Sequence, residues 1–297
     1  MRWQDFRRSG NLEDRRGQGG SRIPGGRTGL GIGTVLVLGL IGYALGIDPR
    51  ILIGGAEILT GGGTAQQAPA PSPGRTGAPT DETGQFVAAV LGDTEDRWRV
   101  IFQAAGRQYQ PAKMVMFDGV TGSECGTAQS AMGPFYCPLD GRVFLDTSFF
   151  TELERRFRGC SGKACQFAAA YVIAHEIGHH VQNQMGILSK VQQAQRGVSR
   201  TEANRLQVSV ELQADCFAGV WAHHAQQKLK FIEPGDVEAA MQTASAIGDD
   251  KLQRQAQGRV VPDSFTHGSS EQRVRWFMTG LKGGEMAQCN TFEAQQL

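Results

Sequence analysis

Phe167-Ala168-Ala169-Ala170-Tyr171-Val172-Ile173-Ala174-His175-Glu176-Ile177-Gly178-His179-His180-Val181-Gln182 is an apolar helical run that ends in the pattern H-E-x-x-H. Residues i and i+4 of a helix lie one above the other, so His175 and His179 can aim imidazole nitrogens at one centre. Glu176 follows His175 by about 100° of helix rotation and borders the same face without joining the pair. Two imidazoles with a neighbouring carboxylate suit zinc. The ion lowers the pKa of its bound water to roughly 7, and the carboxylate can carry the released proton to a leaving amine. The implied chemistry is hydrolysis of a peptide bond. The alternative, that these are solvated or capping residues, fits their setting poorly. Tyr171, Val172, Ile173, Ala174, Ile177 and Val181 make the helix apolar nearly all round, where an unpaired carboxylate and two imidazoles are costly.

A catalytic zinc takes three protein ligands and keeps one position open. In a metzincin the helix would be followed by Gly at position 182 and His at 185; this chain has Gln182 and Met185, so the third ligand must come from elsewhere. Residues 202–221 read as a second helix, apolar at Leu206, Val210, Leu212, Ala214, Phe217, Val220 and Trp221. Glu211 and Asp215 share one of its faces at i and i+4. Glu211 would complete the set with His175 and His179, and Asp215 would hydrogen-bond a ligand His and fix its tautomer. A surface carboxylate pair is the competing reading, against which stand the apolar neighbours and the lack of an i+4 cation. The 31 residues between His179 and Glu211 leave room for the chain to cross back.

Three segments then carry a resemblance: HEIGHHVQ at 175–182, ELQADCFAG at 211–219 and SFTHGSSEQR at 264–273. In this order and spacing they resemble the "putative neutral zinc metallopeptidase" family of bacterial membrane-anchored proteins, over roughly residues 83–297 plus an N-terminal apolar stretch. The resemblance implies a mainly helical α+β fold, a zincin-like domain of the gluzincin kind with a small sheet. It implies a zinc-dependent peptidase with one Zn2+ per chain; the peptide or protein substrate is expected from the chemistry of the H-E-x-x-H residues. Two further roles rest mainly on it: His267 as a catalytic donor to the oxyanion of the tetrahedral intermediate, and Arg273 as the residue that orients Glu211 or Asp215. The competing readings are a capping segment and a surface Arg, since Ser269 or Ser270 can cap a helix over 271–282. A non-catalytic zinc-containing binding or assembly factor of the cell envelope is the alternative function, because fold does not fix function; the intact Glu176 argues against it.

The charge is uneven. Residues 1–50 hold eight Arg and four acids, leaving 22 Lys plus Arg against 25 Asp plus Glu in the remainder. A near-neutral globular part argues against nucleic acid as a partner. Residues 1–29, rich in Gly, Arg and acids, read as a disordered basic cytoplasmic tail. Leu30 to Ile47 gives 18 residues without a charge, flanked by Arg22 and Arg27 before and Asp48 and Arg50 after. Residues 30–50 therefore read as a transmembrane signal anchor in the lipid bilayer with the Arg-rich side inside. A cleavable signal peptide would need a small-residue site close behind, and Ala68-Pro69-Ala70 lies too far on. Residues 51–83 read as a flexible linker and 84–297 as the catalytic domain. The expected location is a bacterial inner membrane, single-pass, with the N-terminus cytoplasmic and the domain periplasmic or extracellular.

Six cysteines, Cys125, Cys137, Cys160, Cys165, Cys216 and Cys289, agree with an oxidising compartment. Nearness in sequence favours Cys125 with Cys137 and Cys160 with Cys165, leaving Cys216 with Cys289, although six cysteines allow fifteen connectivities. Phe86 to Gln108 reads as one or two helices broken around Gly92. Residues 113–117 and 142–145 read as strands, and Gly133-Pro134-Phe135-Tyr136 as the rim strand of a cleft or a disulfide-pinned loop. Helices are expected up to Arg156 and over 233–248, with a polar connection over 188–200. His180, His223 and His224 receive no role.

Overall fold

Residues 1–17, 74–77, 79–129, 133–156, 164–294 and 297 are described by the computed structural model. In chain order they form β1 (Leu12–Asp14), β2 (Arg75–Thr76), α1 (Glu82–Ala104), β3 (Lys113–Phe117), β4 (Val120–Ser123), β5 (Gly126–Gln129), β6 (Phe135–Cys137) and β7 (Arg142–Asp146). Then come α2 (Ser148–Arg156), α3 (Ala164–Gln184), α4 (Ile187–Gln195), α5 (Arg200–Leu229), α6 (Asp236–Ala246), α7 (Asp249–Gln257) and α8 (Ser270–Gly283), with 3-10 turns at Pro262–Ser264 and Met286–Cys289. The fold is mainly helical α+β with a small sheet.

The sheet has the order β2-β1-β3-β7-β6. β1, β3 and β7 run parallel, and β2 and β6 are antiparallel at the two edges. β3 and β7 are continuous apolar runs because both faces are covered, as central parallel strands require. Helices α3 and α5 fill the core, with Phe167, Tyr171, Ile177, Phe217 and Trp221 fully buried. Their approach depends on Gly178: a Cβ there would lie 2.9 Å from the Ala214 carbonyl oxygen. Gly280 lets α8 press against α5 in the same way, since a Cβ there would collide with the Cys216 carbonyl. Ala214 and Cys216 lie about 200° apart around α5, so these contacts pack α3 and α8 against opposite sides of it.

The N-terminal segment corrects the expected tail. Met1, Trp3, Phe6 and Leu12 are no more than 5% exposed, and β1 is inserted between β2 and β3. Several charges of the segment that reads as disordered have partners here. Arg7 pairs with Glu95 and Asp96, Arg15 with Glu13, and Arg16 with Asp14 and Asp81. Ser9 and Asn11 donate to the buried Glu95 carboxylate at 2.5 and 2.8 Å. The domain thus includes residues 1–17, and β2 lies inside the segment expected to be linker. β1 is hydrogen-bonded in parallel beside β3, so this segment is part of the same sheet as the domain. The anchor expected at 30–50 lies outside the described residues, among which no helix is long and apolar enough to cross a membrane.

Smaller differences share a cause. α1 runs unbroken through Gly92, where the absent side chain admits the Arg7 backbone; the glycine serves a tertiary contact and does not end the helix. The polar connection after α3 is largely helical, as α4, and only Val191 in it is buried.

Candidate metal centre

α3 presents His175 and His179 one turn apart, and α5 presents Glu211 opposite them. His175 Nε2 lies 3.2 Å and His179 Nε2 3.5 Å from Glu211 Oε2. One donor atom from each of the three falls within 4.8 Å of the others. The second nitrogen of each imidazole meets an oxygen: His175 Nδ1 is 2.8 Å from Asp215 Oδ1, and His179 Nδ1 is 2.9 Å from Gln182 Oε1. Two nitrogens and one carboxylate oxygen, with the other imidazole nitrogens tethered, fit zinc and leave a coordination position open.

Asp215 is fully buried and satisfied on every side. Arg273 donates Nε to Oδ2 at 2.8 Å and Nη2 to Oδ1 at 3.0 Å, and the Tyr171 hydroxyl donates to Oδ1 at 2.6 Å. Burial alone would raise the Asp215 pKa, but Arg273 and then His175 outweigh it and hold it at about 2. Burial likewise works against charge on His175, yet Asp215 and Glu211 lift it to about 10. Glu211 is kept well below the usual carboxylate range, because His179 and His175 outweigh its desolvation.

Glu176 is 6% exposed and lies beside the two imidazoles. Burial pushes its pKa up; His175, His179 and the Tyr136 backbone N–H pull it back only in part. A buried carboxylate with a raised pKa is suited to general base work nearer neutral pH. The centre sits in a cleft of about 1090 Å³ lined by Tyr136, Leu153, Val172, Val191, His267 and Arg273 among others. Gly133, Pro134 and Phe135 line it too, and the strand there is β6, on the sheet edge.

His267 lies on the loop before α8, its side chain half exposed at the cleft. Its loop is tied to Asp249, which accepts the backbone N–H groups of Thr266 and His267 at 2.7 Å each and lies 3.2 Å from His267 Nδ1. Ser269 caps α8 with a reciprocal capping box to Gln272, which sets Arg273 one turn in, facing Asp215. His180 is buried, its Nδ1 3.1 Å from the Tyr136 hydroxyl and its Nε2 2.7 Å from the Gln110 carbonyl oxygen, so it fixes β6 to α3. His223 and His224 meet the carbonyls of Leu281 and Gly284 at the end of α8, away from the centre.

Sequence reading missed Tyr171, Gln182, Asp249 and His180. Tyr171 stands one turn before His175, where its hydroxyl was a legible signal; Asp249 had none, because its partner loop is close only in space. The cysteines pair as Cys125–Cys137, which ties the β4–β5 hairpin to β6, and Cys216–Cys289, which ties α5 to the 286–289 turn. Cys165 is disulfide-bonded, and Cys160 lies outside the described residues.

Comparison with known proteins agrees with this centre. The family described as "Putative neutral zinc metallopeptidase" matches residues 1–292. The "Uncharacterized protein YpfJ" of Escherichia coli (strain K12) is 47% identical over 301 residues, spanning 98% of this chain and 99% of that protein. The "Uncharacterized protein Rv2575" of Mycobacterium tuberculosis (strain ATCC 25618 / H37Rv) is 39% identical over 233 residues, 75% of each chain. No solved structure matches. The match from the first residue through the metal centre, shared at this identity with a full-length relative, means that the chain belongs to the family described as "Putative neutral zinc metallopeptidase".

Proposed function

We propose that this protein hydrolyses peptide bonds with one zinc ion held by His175, His179 and Glu211. What carries this reading is their convergence on one point with the buried Glu176 alongside, at the floor of an open cleft. Zinc, when bound, supplies Lewis acidity that stabilises oxyanion charge and acidifies water. Glu176 takes the proton of the attacking water and delivers it to the departing amine nitrogen. Asp215 holds His175 with Nδ1 protonated and Nε2 free, and Arg273 and Tyr171 hold Asp215. His267, with Nδ1 turned to Asp249, donates from Nε2 to the oxyanion at the cleft rim.

An extended peptide or protein segment adds to β6, the antiparallel edge strand beside the cleft among the described residues, by main-chain hydrogen bonding. We place the domain in an oxidising compartment on the strength of its disulfides.

The test compares zinc content and hydrolysis of a quenched peptide or casein in the full-length protein and in Glu176→Gln. The expected result is equal zinc, with hydrolysis in the wild type alone. Equal zinc with equal hydrolysis sinks the role of Glu176. Equal zinc with no hydrolysis of a broad peptide library by either protein favours the binding or assembly factor.

A further inference from the structure

Behind His179 lies a buried hydrogen-bond chain that the proposed chemistry does not use. His179 Nδ1 meets Gln182 Oε1 at 2.9 Å. Gln182 Nε2 donates to the Val210 carbonyl at 2.8 Å and to Gln213 Oε1 at 3.0 Å. Gln213 Nε2 donates to the Cys289 carbonyl at 2.9 Å. Gln182 is fully buried and Gln213 nearly so. Cys289 is fixed in place by its disulfide to Cys216 on α5.

A carbonyl oxygen only accepts, and that fact sets the direction of the whole chain. The Cys289 carbonyl requires the NH2 side of Gln213, so Gln213 turns its oxygen to Gln182. Val210 and that oxygen together require the NH2 side of Gln182, whose oxygen then faces His179. An oxygen there accepts only from a protonated Nδ1, which leaves the lone pair of the imidazole on Nε2, the nitrogen nearer Glu211. Flipping either amide would set oxygen against oxygen in a site closed to water, where an unmatched polar group is costly.

We propose that Gln182 and Gln213 are positioning residues: a polarised amide relay, anchored on the Cys289 and Val210 carbonyls, holds His179 in the tautomer that offers Nε2 to the metal. His175 has an anionic partner, Asp215, for the same task; His179 has this neutral one. The inference rests on the zinc reading of the site and extends it to residues that touch neither zinc nor substrate.

The experiment measures zinc affinity of the full-length protein by competition with a chelating dye, with thermal melting of the zinc-free forms as the folding control. Gln182→Leu is expected to weaken zinc by 10–100-fold, the usual cost of losing such a partner. Gln213→Leu leaves Val210 to hold Gln182 and is expected to weaken zinc by about fivefold. Thr291→Val removes a bond from the same C-terminal segment to the Ser209 carbonyl, outside the relay, and is expected to leave the affinity unchanged. In the zinc-loaded wild type, a 15N-correlated Nδ1–H resonance for His179 is expected. Wild-type affinity in a folded Gln182→Leu protein, or coordination through His179 Nδ1, overturns the relay alone. A wild type that binds no zinc overturns the metal site together with it.

Discussion

Arg273 and Asp215 form a buried two-bonded ion pair, Nε to Oδ2 at 2.8 Å and Nη2 to Oδ1 at 3.0 Å, on helices that share no sequence neighbourhood. Removing the cation strands a carboxylate with no access to water. Arg273→Met is therefore expected to destabilise the protein by roughly 3–5 kcal/mol. Denaturant titration of the zinc-free protein checks it, and a loss below about 1 kcal/mol would show that Tyr171 and His175 suffice to hold Asp215.

His267→Ala is expected to keep zinc and stability while lowering kcat by roughly 10²–10³-fold, the range for losing one oxyanion donor. Zinc content and steady-state kinetics measured together decide it. Wild-type turnover would reduce His267 to part of the Asp249-bound loop.

Zinc and protons compete for the same imidazole nitrogens. His175 is held at about 10, so at neutral pH it must shed a proton to bind metal, and the upward shift of His179, where burial is outweighed by Glu211, adds to the same competition. Each displaced proton costs about tenfold in affinity per pH unit of acidification. Calorimetry in buffers of different ionisation enthalpy at neutral pH should register at least the one proton released from His175. In the zinc-free protein the sign runs the other way. Raised histidine pKa values contribute stability that is fully present below the ordinary value of about 6.5 and is lost as pH climbs towards 10. Asp215 contributes stability above 3.8 that is lost as pH falls towards about 2. Melting curves of chelator-treated protein should thus decline on both sides of neutrality.

A chain that begins at Gln85 lacks β1 and β2. It exposes the surface that Met1, Trp3, Phe6 and Leu12 cover and leaves the buried Glu95 without Arg7, Ser9 and Asn11. Each lost apolar side chain is worth about 1.5–3 kcal/mol, against a whole-domain stability of about 5–15 kcal/mol. The truncated protein is expected to aggregate or melt far below the full-length chain; equal melting temperatures would show the N-terminal segment to be dispensable.

Cys216–Cys289 closes a loop with a sequence separation of 73 residues. Chain entropy assigns such a crosslink about 4 kcal/mol, against about 3 kcal/mol for the 12-residue separation of Cys125–Cys137. The Cys216→Ala/Cys289→Ala double variant should therefore lower the unfolding midpoint more than Cys125→Ala/Cys137→Ala. The reverse order would show that strain or residual unfolded structure outweighs loop length.

Much of the centre was legible because it is local. His175, Glu176 and His179 follow from the helical repeat alone, and Glu211 and Asp215 from the same repeat on a second apolar helix. The strands at 113–117 and 142–145 were legible as apolar runs between turn residues. What escaped was non-local. Trp3 and Phe6 follow no single period and stand among charges, so nothing in the sequence separates them from a solvated tail until α1 and β3 come alongside. Gly92 read as a helix break because only the Arg7 backbone, far away in the chain, explains it.

The sequence by itself determined the helical faces, the residue types that can hold zinc and the presence of a base beside them, since 3.6 residues per turn leaves no freedom in which side chains stack. The tertiary structure decided which of these faces meet. Close approach at Gly178 sets α3 against α5, and close approach at Gly280 sets α8 against α5. From those contacts follow Arg273 on Asp215 and Glu211 opposite His175 and His179. Placing the first 17 residues within the domain was also a tertiary decision, because buried charges are tolerated only where other segments supply their partners.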